Sequence, residues 1–217
     1  MILFDQVHYT YPNGSHALEE IDLELADGSF TFLTGHTGAG KTTLIRLMMA
    51  MMRPSSGHLK VGEQSLNRIS ASDVPLYRRN IGLVFQDHQL LYDRNVLDNV
   101  ALPLEILGYD YDTIHNRAEA ALRKVGLETK KGKMPQHLSV GEQQRLSIAR
   151  AVVAKPAILI ADEPTGNLDE ALSRRVMEFF REFYLAGTTV IIATHDMRLV
   201  ASYPDARVVQ LQEGRLV

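Results

Sequence analysis

Cysteine is missing altogether from the 217 residues. That excludes a disulfide framework, a thiolate metal site and a cysteine nucleophile, and it suits a reducing compartment. Also missing is any apolar run approaching the roughly 18 to 20 residues needed to span a bilayer. The longest candidate, around Leu44 to Met52, is interrupted by Arg46 and stops at Arg53-Pro54. The opening Met1-Ile2-Leu3-Phe4-Asp5 meets an acid at once and lacks the basic-then-apolar layout of a signal peptide. If the protein works at a membrane, another chain supplies the membrane segment. Neither sign of charge dominates: the net charge is −3, so no cationic field draws phosphate backbones and no nucleic-acid partner is expected. There is no internal repeat, low-complexity tract or long charge block.

What is present is the composition of a soluble globular protein, 45% apolar and 23% charged, with length for one generous domain. β-like runs at Ile2 to Tyr9 and Leu18 to Leu25 flank a turn at Pro12-Asn13-Gly14. Phe30 to Thr34 reads as a buried strand running into a glycine-rich loop, followed by a helix from about Thr42 to Met52. Ile81 to Phe85 reads as another strand. The middle of the chain is helical, with candidates at Val96 to Leu107, Tyr111 to Val125 and Gln143 to Ala154. After Pro156 the alternation returns: strand Ile158 to Ala161, helix Leu172 to Ala186, strand Thr188 to Ala193 and a last strand near Val208 to Leu211. Strands alternating with helices imply an α/β protein with a mostly parallel sheet covered on both faces. The helical middle reads as an inserted subdomain.

Gly35-His36-Thr37-Gly38-Ala39-Gly40-Lys41-Thr42 matches the phosphate-loop pattern G-x-x-x-x-G-K-[ST] between a strand and a helix. Glycines let the backbone wrap an anion with its N–H groups inward, and the helix N-terminus adds a positive dipole end. Lys41 would reach the β- and γ-phosphates, the Thr42 hydroxyl would hold Mg²⁺, and the loop would extend to Thr43. Ile158-Leu159-Ile160-Ala161-Asp162-Glu163 is an apolar strand ending in two acids. Strand ends of this kind face a ligand crevice, so Asp162 falls near the metal and Glu163 can polarise an attacking water. Without the upstream loop, such a pair would more often be a solvated strand end or a helix cap.

Leu138-Ser139-Val140-Gly141-Glu142-Gln143-Gln144-Arg145 resembles the signature sequence of ABC ATPases. With it the other motifs fall into that family's order over essentially the whole chain. Gln86 resembles the Q-loop glutamine that senses the metal. Gly166-Asn167-Leu168-Asp169 is similar to the D-loop, His195 resembles the switch histidine on the γ-phosphate, and Tyr11 matches the aromatic that stacks on adenine. The resemblance implies a P-loop NTPase of the ABC type: a RecA-like core at about 1–87 and 155–217, an N-terminal antiparallel β subdomain, and a helical subdomain at about 88–154. It implies Mg²⁺-dependent hydrolysis of ATP, with Glu163, His195 and Gln86 as catalytic residues and Thr42, Gln86 and Asp162 around the metal. It also implies an ATP-dependent homodimer, because Ser139, Val140, Gly141, Glu142 and Gln143 would face the γ-phosphate held by a second copy.

Val140 departs from the pattern, standing where the first of two glycines is usual. A β-branched residue disfavours φ > 0 and crowds an approaching phosphate. Either the backbone there is ordinary and the change is harmless, the reading preferred, or the sandwich is weakened.

Asp162-Glu163-Pro164-Thr165-Gly166-Asn167-Leu168-Asp169 resembles the branch holding lipoprotein-release, macrolide-efflux and cell-division ATPases. The segment from Phe85 to Leu104 is most similar to the cell-division, FtsE-type members. That resemblance implies a peripheral subunit on the cytoplasmic side of a bacterial inner membrane, gripping an integral FtsX-like partner through about residues 86–110. A transporter of the same branch is the alternative. A soluble ABC protein acting on DNA or ribosomes fits less well, since only about fifty positions separate Gln86 from Ser139 and leave no room for a long coiled coil. A degenerate scaffold would have only Val140 in its support.

Overall fold

The computed structural model of the chain describes residues 1–166 and 168–217; Asn167, part of the expected D-loop, lies outside them. Along the chain run β1 (Ile2–Thr10), β2 (His16–Leu25), β3 (Phe30–Thr34), α1 (Lys41–Met48), β4 (Ser56–Val61), β5 (Gln64–Ser65) and α2 (Val74–Arg78). There follow β6 (Ile81–Val84), α3 (Val96–Ile106), α4 (Tyr111–Lys124), α5 (Val140–Val152), β7 (Ile158–Asp162) and α6 (Glu170–Leu185). The chain closes with β8 (Thr189–Thr194), α7 (Met197–Ala201), β9 (Arg207–Gln212) and β10 (Arg215–Leu216). It divides into two compact units, one of residues 1–78 with 183–217 and one of residues 79–182.

The first unit holds an antiparallel sheet of order β2-β1-β4-β5. Alternation buries Ile2 and Phe4 from β1 and Ile21, Leu23 and Leu25 from β2, as one apolar face requires. Register shifts between Phe4 and Val7 and on to Tyr9 return Val7, paired with Ile21, to that face. The polar run Ser56-Gly57-His58 carries no strand signature, yet it pairs with β1, with Asp5 opposite His58. Gly57 permits the approach, because a Cβ there would stand 2.0 Å from the Gln6 carbonyl oxygen. The same unit holds a parallel arrangement in which β3 lies between β9 and β8, with β10 antiparallel at the edge of β9. β3 and β8 are buried along their whole length, which explains their unbroken Phe/Leu and Val/Ile runs.

Helix α1 ends at Met48 rather than near Met52. Ala50 turns into the left-handed region with φ 50°, and α2 meets the open carbonyls. Tyr77 donates its hydroxyl to the Met48 oxygen, and Arg78 donates Nε to Met49 O at 2.9 Å and Nη2 to Ala50 O at 3.2 Å. Side chains 28 and 29 residues away thus satisfy the helix end that a further turn would have covered.

The second unit pairs β6 and β7 in parallel, from Ile81 opposite Ile158 to Val84 opposite Ala161. Gly82 admits the backbone of α5, since a Cβ there would stand 2.4 Å from the Ala151 carbonyl oxygen. Helices α3, α4 and α5 close on a cluster that includes Val96, Val100, Leu104, Leu122 and Leu146. Each starts on a side-chain cap: Asn95 accepts from the Asp98 amide, Asp110 from Thr113 and Ser139 from Glu142. Among the described residues no helix is long and apolar enough to cross a membrane.

Candidate functional site

The glycine loop lies between β3 and α1, where the sequence puts it. Gly40 caps α1 with φ 108°, and a Cβ there would stand 2.9 Å from Ala17 O and 2.8 Å from the Leu18 side chain. Gly38, φ 86°, has nothing within 4 Å of where its Cβ would stand. The first glycine therefore answers to packing and the second to an open side from which a ligand can approach. His36, Thr37 and Gly38 form an exposed crest, and Thr42 is exposed while Thr43 and Ala39 are buried. Lys41 is 7% exposed, and its Nζ donates to Gly35 O at 2.6 Å and His36 O at 3.2 Å. The ammonium is thereby folded back over the loop.

Gly35 sits against β9, where a Cβ would stand 2.3 Å from Leu211 O. The β9–β10 turn braces the loop from outside: the Gly214 amide donates to Ala39 O at 3.1 Å, and its carbonyl accepts from Glu19 N at 2.8 Å. Nothing in the local sequence announces this brace.

Tyr11 follows β1 and touches the loop directly, its hydroxyl 2.9 Å from Thr43 Oγ1. Tyr9 meets its ring edge-on at 5.0 Å between centroids. The aromatic singled out in the sequence is thus held to the phosphate loop by a hydrogen bond. His195 is exposed and follows Thr194 at the end of β8. The next residue, Asp196, caps α7 by accepting from the amides of Arg198 and Leu199.

In the second unit, the pairing of Val84 with Ala161 brings the chain off β6 to Gln86 and off β7 to Asp162 and Glu163 at the same end of the two strands. Asp162 is 7% exposed and Gln86 is exposed. Glu163 sits at φ 49°, a left-handed backbone sparsely used by residues other than glycine, asparagine and aspartate. Its carbonyl accepts from the Gly166 amide at 3.3 Å. Asp169 caps α6, its Oδ1 accepting from Leu172 N at 2.8 Å. Among the described residues, no three His, Asp or Glu stand together as a metal cage. Within the first unit Thr42 carries a hydroxyl oxygen, and within the second Asp162 and Gln86 carry carboxylate and amide oxygens, each by itself a hard donor of the kind Mg²⁺ takes.

The signature segment forms a capping box at the start of α5: Ser139 Oγ accepts from Glu142 N, and Glu142 Oε2 accepts from Ser139 N at 2.9 Å. Val140 is the first helical residue and is 53% exposed. Its φ is not positive, so the backbone there is ordinary and the missing glycine costs no strain. Gly141 is the tight position, with a Cβ 2.8 Å from the Leu172 side chain. Gln143 donates Nε2 to Pro135 O at 3.1 Å and Leu138 O at 3.3 Å, fixing the lead-in. The Glu142 carboxyl is held below the usual carboxylate range, first by a hydrogen bond from Lys130 and then by the Ser139 amide.

After Gln86 the chain passes through left-handed turns at His88, φ 61°, and Gln89, φ 44°. Arg150 of α5 spans both, donating to His88 O at 2.8 Å and Gln89 O at 2.7 Å. Asn99, fully buried, ties the next stretch with donations to Leu91, Arg94 and Asn95 carbonyls. Arg150 and Lys130 carry no signal in the sequence, because each acts on backbone or a side chain distant along the chain, whereas Asn99 acts within eight residues of itself. Farther on, Ile106, Tyr109 and Tyr111 are exposed, within or next to the stretch expected to meet a membrane partner.

The family model described as ABC transporter matches residues 18–166. The chain is 49% identical to the cell division ATP-binding protein FtsE of Escherichia coli (strain K12), over 100% of this chain and 97% of that protein. It is 44% identical to the FtsE of Mycobacterium tuberculosis, over 100% of this chain and 94% of that one. Among solved structures, a dimeric ATP-binding cassette in a post-hydrolysis state, bound to ADP and Pi, superposes with a TM-score of 0.91 at 30% identity, covering 100% and 96% of the two chains. A dimeric bacterial ABC transporter cassette gives 0.91 at 32% identity with the same coverage.

Proposed function

The chain belongs to the ABC transporter family, and on that premise we propose that it hydrolyses ATP as the motor subunit of an FtsE-like cell-division complex, working with an integral, FtsX-like membrane protein. The observation that carries the ATPase reading is the loop 35–43, which runs from the end of β3 into the first turn of α1 with Lys41 folded back over it. The full-length likeness to FtsE supports the division branch.

ATP is held with its phosphates in the loop amides at the N-terminus of α1, Lys41 turning outward to the β- and γ-oxygens. The Tyr11 ring takes the adenine face. Thr42, Asp162 and Gln86 would hold Mg²⁺, which would supply charge neutralisation at the phosphates. Glu163 orients and polarises the attacking water, and His195 contacts the γ-phosphate. Ser139 to Gln143 meet the nucleotide of a second copy, with Asp169 at that junction, so two chains share two ATP molecules. The helical subdomain at about 88–154, with the surface of about 86–110, receives the membrane partner from the cytoplasmic side.

Two measurements test this. The purified chain releases phosphate from ATP only with Mg²⁺, and Lys41→Ala abolishes the release; persistence of that release in the variant overturns the site. Recovered from native membranes, the chain brings down an integral protein of the FtsX kind. Recovery of a lipoprotein-release or efflux permease instead overturns the division assignment and leaves the ATPase.

A further inference from the structure

Glu142 is an anion at the mouth of the signature helix, three residues from Ser139. Its two oxygens have separate partners: Oε2 accepts from the Ser139 amide at 2.9 Å, and Oε1 accepts from the Lys130 ammonium. Lys130 comes from a single 3-10 turn, Glu128–Lys130, whose backbone is pinned at both ends. Its amide donates to Leu127 O and its carbonyl accepts from Lys133 N, both at 2.9 Å, and Leu127 is fully buried in the helical cluster. The side chains of Lys130 and Glu142 are 31% and 16% exposed, so the pair is partly sheltered from solvent screening. Neighbouring cations are engaged elsewhere, Lys131 with Glu119 and Arg145 with the Val125 carbonyl.

A carboxylate in the first turn suits the helix dipole, but it repels a second anion arriving at the same amides. A glutamine at this place would complete the capping box without charge. This chain carries a glutamate, and with it a lysine that neutralises it. Resting on the reading in which Ser139 and the first amides of α5 meet the γ-phosphate of a second copy, we propose that Lys130 is a positioning residue for that shared site. Its ammonium keeps the Glu142 carboxylate turned back onto the Ser139 amide and cancels the charge that would oppose the incoming phosphate.

The test uses the full chain in a Glu163→Gln background, so that ATP is bound without turnover, and light scattering reads the ATP concentration giving half-maximal dimer. Lys130→Ala raises that concentration by about threefold or more, the effect of one unmasked charge near a protein surface, while Lys130→Arg stays within about twofold of the parent. In the Glu142→Gln background, Lys130→Ala shifts it by less than about twofold, because the charge that lysine masks is gone. The ATP affinity of the monomer is the same with and without Lys130→Ala. An unshifted Lys130→Ala variant overturns the proposal, and so does an equal shift in the Glu142→Gln background, which marks a packing role. A chain that binds ATP yet stays monomeric at every concentration overturns the shared-site reading itself, and this proposal with it.

Discussion

Thr34 and Thr194 are register partners at the carboxyl ends of the parallel strands β3 and β8. The next residues are Gly35 and His195, so the phosphate loop and the histidine leave the sheet at one level. Strand C-termini of parallel sheets are where ligand crevices form. The geometry that joins two motifs 160 residues apart in sequence is thus a single rung of a β-ladder.

Glu163→Gln keeps the size of the side chain while removing the carboxylate proposed as the base. We expect unchanged ATP binding and a fall in kcat of about 10²-fold or more, read by phosphate release beside nucleotide binding under the same conditions. Substantial remaining turnover would remove Glu163 from its role.

Tyr11 makes two separable contributions. Tyr11→Phe loses the hydrogen bond to Thr43 and weakens ATP by about two- to tenfold, in line with one neutral hydrogen bond. Tyr11→Ala also loses the aromatic face and weakens ATP further, yet it changes tripolyphosphate binding no more than Tyr11→Phe does. Calorimetry with both ligands separates the base contact from the phosphate contact. Equal losses for the two ligands in Tyr11→Ala would refute the adenine platform.

Gly40→Ala places a Cβ at φ 108°, 2.9 Å from a backbone oxygen that has little freedom to move. The expected cost is about 1–3 kcal/mol of stability, seen as a lower urea midpoint, with ATP affinity falling along with it. Gly38→Ala meets no neighbour of its own and carries only the backbone strain of its positive φ, so it destabilises less.

His88 is 8% exposed with Nε2 buried and unpartnered, and burial pushes its pKa below the ordinary 6.5, against the smaller opposing pull of Asp87. Arg150 adds to the lowering. The unfolded chain therefore takes up the proton first as pH falls. Stability from the neutral ring is complete above 6.5 and is lost on the way down to the folded pKa. His88→Asn, which suits the left-handed backbone and does not titrate, flattens that part of the urea-midpoint profile as pH falls below 6.5. An unchanged slope would show that His88 does not carry it.

Several structural choices were already written locally. The run Phe30–Thr34 followed by Gly35-x-x-x-x-Gly40-Lys41 names a strand, an anion loop and a helix start, because each depends on residues within a few positions of each other. The pair Ser139 and Glu142 is equally local, three residues apart, and the structure makes it a capping box. The stretch from about Thr42 to Met52, by contrast, reads as one helix in sequence and stops at Met48, because Tyr77 and Arg78 meet its carbonyls from afar. β4 and β5 escape notice since β4 opens on the polar run Ser56-Gly57-His58 and pairs with the distant β1, while β5 is two polar residues paired with β4.

By itself, then, the sequence determined the phosphate loop, the buried parallel strands and the order of the family's motifs, all of them read from short-range patterns. Only the tertiary structure decided that Val140 sits in ordinary helical backbone, that Arg150 holds the carbonyls of His88 and Gln89, and that Lys130 neutralises Glu142. Those contacts join residues 12 to 62 positions apart, and no local periodicity encodes which distant side chain a packed core will bring to a given carbonyl or carboxylate.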